Sequence, residues 1–248
     1  MNTWDNYYRA TLKKHPSYHS EIIECIQRFA GIQGKVILEV GAGRGEDSFR
    51  LATSSAWVCI LDSSQTAIEL LTNKKRLYGL AVHLVQADAI CLPFKRGSFD
   101  IIFHQGLLEH FREPGKIISE QKEVLKNNGY ILVDVPQRYN LWTLKKNILM
   151  ILGLWFAGWE RSFTLGGLKK LLEDNGFEII GFYQRDYYPD IIRKIKNLKK
   201  IEEKIFKCKI APGRLWLIYR NLWENFEKMR LSRIIFKSIG VMARKIQA

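Results

Sequence analysis

The sequence predicts a parallel α/β sheet with helices on both faces, and three observations predict it. Short apolar runs of buried-strand type recur at Val36–Val40, Trp57–Leu61, Val82–Gln86, Phe99–His104 and Tyr130–Val135. Segments with helical spacing or helix start and stop signals separate them, and strands that alternate with helices at this spacing form parallel sheets. A glycine turn, Gly41-Ala42-Gly43-Arg44-Gly45, follows the first run and opens a helix. Open α/β sheets bind ligands at such strand ends.

The elements follow in order. Residues 17–30 place Ile22, Ile23, Ile26 and Phe29 on one helical face, with Ser17 or Ser20 as the cap. Gly31 and Gly34 break that pattern. Glu46–Thr53 continues the glycine turn as a helix. Ser63 or Ser64 caps a helix that runs to Leu77. Pro114 starts a helix that runs to Lys126, and Asn127-Asn128-Gly129 stops it. Pro136 ends the fifth strand. Residues 137–163 read as an aromatic insertion, irregular in pattern and expected to be helical. Thr164–Asn175 is a helix stopped by Gly176, and Glu178–Tyr183 is a sixth strand. Residues 190–233 read as two basic amphipathic helices divided at Pro212-Gly213. Ile235–Ile246 reads as a closing strand, with a helix as the competing reading. The expected organisation is one domain. It has a helical lid over 1–30, a core over 31–136, the aromatic insertion over 137–163, and a helix and strand over 164–189. The basic insertion over 190–233 and the closing strand over 234–248 complete it.

Composition bounds the class. The 248 residues are 47% hydrophobic and 26% charged, which suits one globular domain and excludes disorder. The longest uncharged run, Asn147–Trp159, has 13 residues, short of the ~18 that read as a membrane span. The N-terminus lacks the apolar core of a secretion signal. Cys25, Cys59, Cys91 and Cys208 have no CxxC pairing. That argues against a metal site or a disulfide frame, and for the cytoplasm. The net charge is +14, and residues 190–248 hold 16 basic and 5 acidic residues. Such a tail suits an anionic partner: a phospholipid surface, a phosphorylated substrate or nucleic acid. A solvated helical face is the competing reading. No feature specifies an oligomeric state.

The glycine turn carries the first chemistry. A dinucleotide fingerprint requires G-x-G-x-x-G, but position 46 is Glu, and the Gly-Lys-Ser/Thr of a phosphate loop is absent. Glu39 beside the turn is unfavourable for a pyrophosphate and favourable for a cationic ligand. Asp62 ends the second strand, where an acid accepts hydrogen bonds from ribose hydroxyls. Asp88 follows the third strand, placed to accept from an exocyclic amine. Singly, each could cap a helix or a turn. Together with the glycine turn, the three acids fit a ligand with a positive centre, a ribose and an adenine.

These residues resemble a known family. VILEVGAGRGEDS (36–48), CILDSS (59–64), VQADAICLPFKRGSFDIIFHQGLLEHF (85–111) and LKNNGYILVDVP (125–136) are similar to class I S-adenosylmethionine-dependent methyltransferases. The likeness is to the small-molecule type related to ubiquinone-biosynthesis enzymes. The resemblance implies a Rossmann-like, seven-stranded, mostly parallel sheet with an antiparallel last strand. It implies S-adenosyl-L-methionine as cofactor. Gly41, Ala42 and Gly43 would pass under its methionine part, with Glu39 near the ammonium. Asp62 would hold the ribose, Asp88 with the Ala89 backbone would read the adenine, and Ser63 is a further cofactor-binding candidate. His104 and Gln105 would lie near the methionine and sulfonium.

Methyl transfer from a sulfonium is an in-line displacement, so the protein mainly positions two reactants. A base is needed only where the acceptor must lose a proton. The candidates are His110, His104 and Glu109, with His15 and His19 in the lid as weaker ones. A histidine that merely holds the loop is the competing reading for His110. No N/D-P-P-Y/W follows strand four, which argues against methylation of exocyclic base amines. No Pro-Cys lies there, and no metal-ligand constellation stands out. The expected acceptor is an oxygen or carbon of a small molecule, lipid-linked or of glycan type. Tyr7, Tyr8, Tyr139 and Trp142 are the substrate-binding candidates, and Trp4, Trp155, Phe156 and Trp159 add to the aromatic set. A helical subdomain core is the competing reading for these rings. Leu141–Trp159 and the basic tail together suit an anionic membrane surface. RNA methylation by the basic region and a non-catalytic cofactor-binding role are the alternatives.

Overall fold

The computed structural model describes residues 3–11, 19–54, 56–187 and 236–247. Its strands are β1 (Val36–Val40), β2 (Trp57–Asp62), β3 (Val82–Gln86), β4 (Phe99–Gln105), β5 (Leu125–Pro136), β6 (Phe177–Tyr187) and β7 (Phe236–Lys245). They form one seven-stranded sheet in the order β3-β2-β1-β4-β5-β7-β6. The pairs β3–β2, β2–β1, β1–β4 and β4–β5 are parallel. β7 runs antiparallel to both β5 and β6, as the resemblance implies. The closing segment, over Phe236–Lys245, is therefore a strand and not a helix. The strand order reverses between β1 and β4, so the carboxyl ends of these strands flank a crevice.

The helices are α1 (Thr3–Thr11), α2 (Ser20–Phe29), α3 (Glu46–Ala52), α4 (Gln65–Tyr78), α5 (Pro114–Val124), α6 (Leu141–Ile151) and α7 (Leu165–Asp174). Alternation within a strand feeds two cores. Leu38 and Val40 of β1 join Ile117, Ile118, Leu168 and Leu172 of α5 and α7. Ile37, next to Leu38 and so pointing the other way, joins Ile22, Ile26, Phe49 and Leu71 on the opposite face. Each face is apolar because each face is covered.

Several boundaries differ from expectation, for local reasons. His19, not a serine, occupies the N-cap position of α2, and no side chain caps it. Its backbone N–H donates instead to Asp47 Oδ1 at 2.9 Å. Helix α5 ends at Val124 because Leu125 is already extended, at φ −83° and ψ 133°. The Asn127-Asn128-Gly129 signal is real but serves a bulge. The pairing moves from Phe99↔Leu125 to Ile101↔Tyr130, and Asn128 takes φ 59° in the left-handed region. The insertion 137–163 contains α6, the helical insertion expected after strand five. Asn140 caps that helix by accepting the Thr143 N–H at 2.7 Å. Strand β6 extends past Tyr183 to Tyr187. The two basic helices expected over 190–233 lie outside the described residues.

Candidate active site

The glycine turn is fixed from two sides. The amides of Gly41 and Ala42 donate to the Leu61 carbonyl at 2.8 and 3.3 Å. Asp62 then takes the Gly43 N–H on Oδ2 at 2.8 Å and the Ser64 N–H on Oδ1 at 2.9 Å. Gly41 and Gly43 have φ of 67° and 55°, which side-chain-bearing residues rarely adopt. A Cβ on Gly41 would meet Leu107 Cδ1 at 2.7 Å, and one on Gly43 would meet Tyr8 Oη at 2.6 Å. Ser64 Oγ accepts the Ala67 N–H and caps α4, which settles the choice between Ser63 and Ser64.

Two cavities adjoin at the carboxyl ends of the parallel strands. The smaller, about 100 Å³, is walled by Leu61, Asp62, Ser63, Asp88 and Ala89 among others. The larger, about 730 Å³, takes Glu39, Gly41, Ala42, Gly43 and Gln105 on one side and Trp142, Lys146 and Phe156 on the other. Trp4, Tyr8, Gly41, Gly106 and His110 belong to both walls. Tyr7 and His19 line the larger one. Tyr139 lines neither and is exposed. His104 also lines neither: it is buried in the sheet with both ring nitrogens unpartnered, and burial holds its pKa down at about 3. His15 lies outside the described residues.

Helix α1 roofs both cavities. Asp5 Oδ1 accepts Ser64 Oγ–H at 2.5 Å and the Thr66 N–H at 3.1 Å, pinning α1 to the start of α4. The Ser64 hydroxyl, with the Thr66 amide behind it, lowers the Asp5 pKa. Trp4 meets the His110 ring edge-on at 4.8 Å, and Tyr7 stacks on Phe156 at 4.7 Å. The lid thus contacts the insertion through aromatic rings.

The wall contributed by the insertion and the last strands is ionic, which the residue pattern did not reveal. Lys146, only 1% exposed, donates to Glu160 Oε2 at 2.9 Å. Glu160 Oε1 accepts the Trp155 indole N–H at 3.0 Å and lies 3.9 Å from His110 Nδ1. Arg185 holds Asp134 through two bonds of 2.8 Å, and the Tyr183 hydroxyl adds a third at 2.9 Å. The Arg161 amide donates to the Glu109 carbonyl at 2.9 Å, tying the end of the insertion to the turn Leu108–His110.

Burial sets the protonation states. Glu39 is 5% exposed, its Oε2 has no partner, and burial, with Asp47 adding to it, pushes its pKa to about 8. Glu109 is equally buried with an unpartnered Oε2, and burial pushes it to about 8 as well. Burial raises Asp62 against the lowering pull of its Ser64 and Gly43 amides. Burial lowers His110, against the raising pull of Glu160. Asp88 is exposed, and its Oδ1 accepts the Ile90 N–H at 3.0 Å, so it shapes a turn while lining the smaller cavity.

These residues fit S-adenosyl-L-methionine. Glu39 offers an unpaired buried oxygen to an ammonium. Asp62 retains lone pairs for hydroxyl donors. Glycine at 41 and 43 keeps Cβ atoms out of a turn already in contact with Leu107 and Tyr8.

Comparison with known proteins agrees. Residues 38–133 match a family model described as a methyltransferase domain. A demethylmenaquinone methyltransferase of Clavibacter sepedonicus is 38% identical over 105 residues, 42% of each chain. A fatty-acid O-methyltransferase of Mycolicibacterium smegmatis is 26% identical over 226 residues, 86% of this chain and 70% of that one. Among solved structures, Haemonchus contortus phosphoethanolamine N-methyltransferase 2 in complex with S-adenosyl-L-methionine superposes with a TM-score of 0.65 at 16% identity. That match covers 98% of this chain and 57% of the other, and shows the fold. Residues 38–133 are thus similar to a methyltransferase domain, on a fold shared with a methyltransferase solved with S-adenosyl-L-methionine. The chain spans about half the length of many curated relatives it matches, 42% of the Clavibacter protein and 52% of a ubiquinone biosynthesis O-methyltransferase from Haemophilus ducreyi.

Proposed function

We propose that this chain transfers a methyl group from S-adenosyl-L-methionine to an oxygen or carbon of a small-molecule acceptor of lipid-linked or glycan type. The carrying observation is the pair of adjoining cavities with a common wall at Trp4, Tyr8, Gly41, Gly106 and His110. The smaller cavity has the acids for a ribose and an adenine, and the larger has room for an acceptor. The cofactor, when bound, supplies an activated methyl group and a neutral leaving group. The chain's own residues do the rest. Glu39 holds the ammonium, Asp62 and Ser63 the ribose hydroxyls, and Asp88 with the Ala89 amide the adenine edge. Gln105 faces the methionine side of the larger cavity. Tyr7, Tyr8, Trp142 and Phe156 hold the acceptor and exclude water, which is the main catalytic contribution.

His110 is the proton acceptor for a hydroxyl substrate. It lies on the common wall, and burial lowers its pKa, which favours the neutral imidazole that can accept a proton. His104 has no wall position and acts on the site only through packing. The name of the Mycolicibacterium relative points to an apolar acyl acceptor, which suits the aromatic wall. The RNA alternative draws on 190–233, outside the described residues. Calorimetric titration with S-adenosylmethionine and S-adenosylhomocysteine tests the cofactor part. Micromolar binding of both is expected, and no heat at millimolar cofactor would refute it. Release of S-adenosylhomocysteine on adding phenolic, carboxylic or polyprenyl acceptors then identifies the acceptor class.

A further inference from the structure

Helix α6 and the turn after it carry an apolar surface that no other described residues cover. Leu141, Leu144, Ile148, Ile151 and Leu152 form one stripe along and just past the helix, exposed by 53%, 58%, 50%, 85% and 61%. Leu154, Phe156 and Trp159 extend it at 69%, 48% and 41%. The opposite side of the same helix is buried at Thr143 and Lys146. A continuous patch of this kind marks an interaction surface.

Its charge selects the partner. No acidic residue occurs from Val135 to Trp159. Arg138 lies over Tyr139 at 5.8 Å, Lys145 over Trp142 at 5.8 Å, and Arg112 over Trp159 at 4.7 Å. Apolar side chains ringed by cations and by Trp and Tyr match the boundary of an anionic bilayer. A second copy of the chain would bring two cationic rims together. The segment 190–233 is itself basic and is disfavoured as cover by the same repulsion. With 11 residues, α6 is about 16 Å long, too short for a core about 30 Å thick. No described helix is long and apolar enough to cross a membrane. The helix therefore suits lying on the bilayer.

We propose that Leu141–Trp159 is a membrane-seating surface for anionic phospholipid. Trp142, Trp155 and Phe156 belong both to this segment and to the wall of the larger cavity. Seating would turn that wall toward the lipid, so that an acceptor dissolved in the bilayer enters past these rings. The seating is independent of methyl transfer, and only the route of entry rests on the function proposed above.

The test is flotation of the full chain with vesicles of equal parts phosphatidylcholine and phosphatidylglycerol, at low and high salt. The wild type is expected to float with these vesicles at low salt and far less with phosphatidylcholine alone. The variant Leu144→Glu/Ile148→Glu/Ile151→Glu is expected to lose at least about tenfold in partition. Its thermal melting and its cofactor calorimetry are expected to be unchanged, since all three side chains are at least half exposed. Arg138→Glu/Lys145→Glu is expected to lose the preference for anionic lipid. Failure of the wild type to float would overturn the proposal, and so would flotation of the triple variant at wild-type levels. A wild-type dimer in solution that the triple variant abolishes, without flotation, would make this face a self-interface and also overturn it. Failure of cofactor binding with flotation intact would strike only the methyl-transfer reading and the route of entry.

Discussion

Asp62 Oδ2 accepts the Gly43 N–H at 2.8 Å, so the residue expected to hold the ribose also holds the glycine turn. One carboxylate couples two parts of the proposed cofactor site. Asp62→Ala is expected to lower affinity for S-adenosylmethionine by at least tenfold. A bond to a charged group contributes about 1.5–3 kcal/mol, and the released turn adds to the loss. Calorimetry measures it, and unchanged affinity would remove Asp62 from the site.

Gly43 separates a backbone cost from a packing cost. A side chain there must adopt φ near +55°, which costs about 1–2 kcal/mol. Its Cβ must also displace the Tyr8 hydroxyl, 2.6 Å away. Gly43→Ala is expected to weaken cofactor binding and to loosen α1, read as faster hydrogen exchange over Thr3–Thr11. Adding Tyr8→Ala removes the clash but not the strain. The double variant should therefore lose less than the sum of the single ones.

The pH dependence of cofactor binding follows from Glu39. Its folded pKa, about 8, lies above the ordinary carboxylate value. The unfolded chain therefore binds fewer protons in this window. The stability linked to Glu39 is fully present below the unfolded pKa and is lost as pH rises through about 8. Binding runs the opposite way. An ammonium pairs with the ionised carboxylate, so affinity should rise as pH climbs toward about 8 and flatten above it. Glu39→Gln should remove the slope in calorimetry, and a slope that survives would refute the pairing. Glu109 also titrates near 8. It should contribute to the loss of thermal stability in the same window, and Glu109→Gln should reduce that loss.

What was legible in the sequence was whatever repeats locally. β1 and β3 have the expected bounds because each is a short apolar run between turn signals. The placement of the glycine turn and of Asp62 was legible because both fall at strand ends. The Lys146–Glu160 pair was not. Its partners are 14 residues apart, across the turn of the insertion, and Lys146 reads as a flank charge beside the exposed Lys145. Arg185 was missed similarly. Gln184-Arg185 looks like the polar end of strand six, but Asp134, two strands away, holds the guanidinium inside. Periodicity cannot register pairs that only the sheet order brings together.

That buried pair gives the sharpest stability test. Lys146→Met leaves the Glu160 carboxylate without its cation, though Trp155 still donates to it. Breaking one side of a buried ion pair costs about 3–5 kcal/mol. Replacing both partners by groups of similar volume is often neutral, so Lys146→Met/Glu160→Gln should recover most of the loss in urea denaturation. Glu160 also lies 3.9 Å from His110 Nδ1 and raises its pKa. Glu160→Gln should therefore lower the His110 pKa further, read from the imidazole resonances by NMR. A His110 titration that does not move would mean that Glu160 serves the insertion alone. The stability cycle would then describe a packing device rather than part of the site.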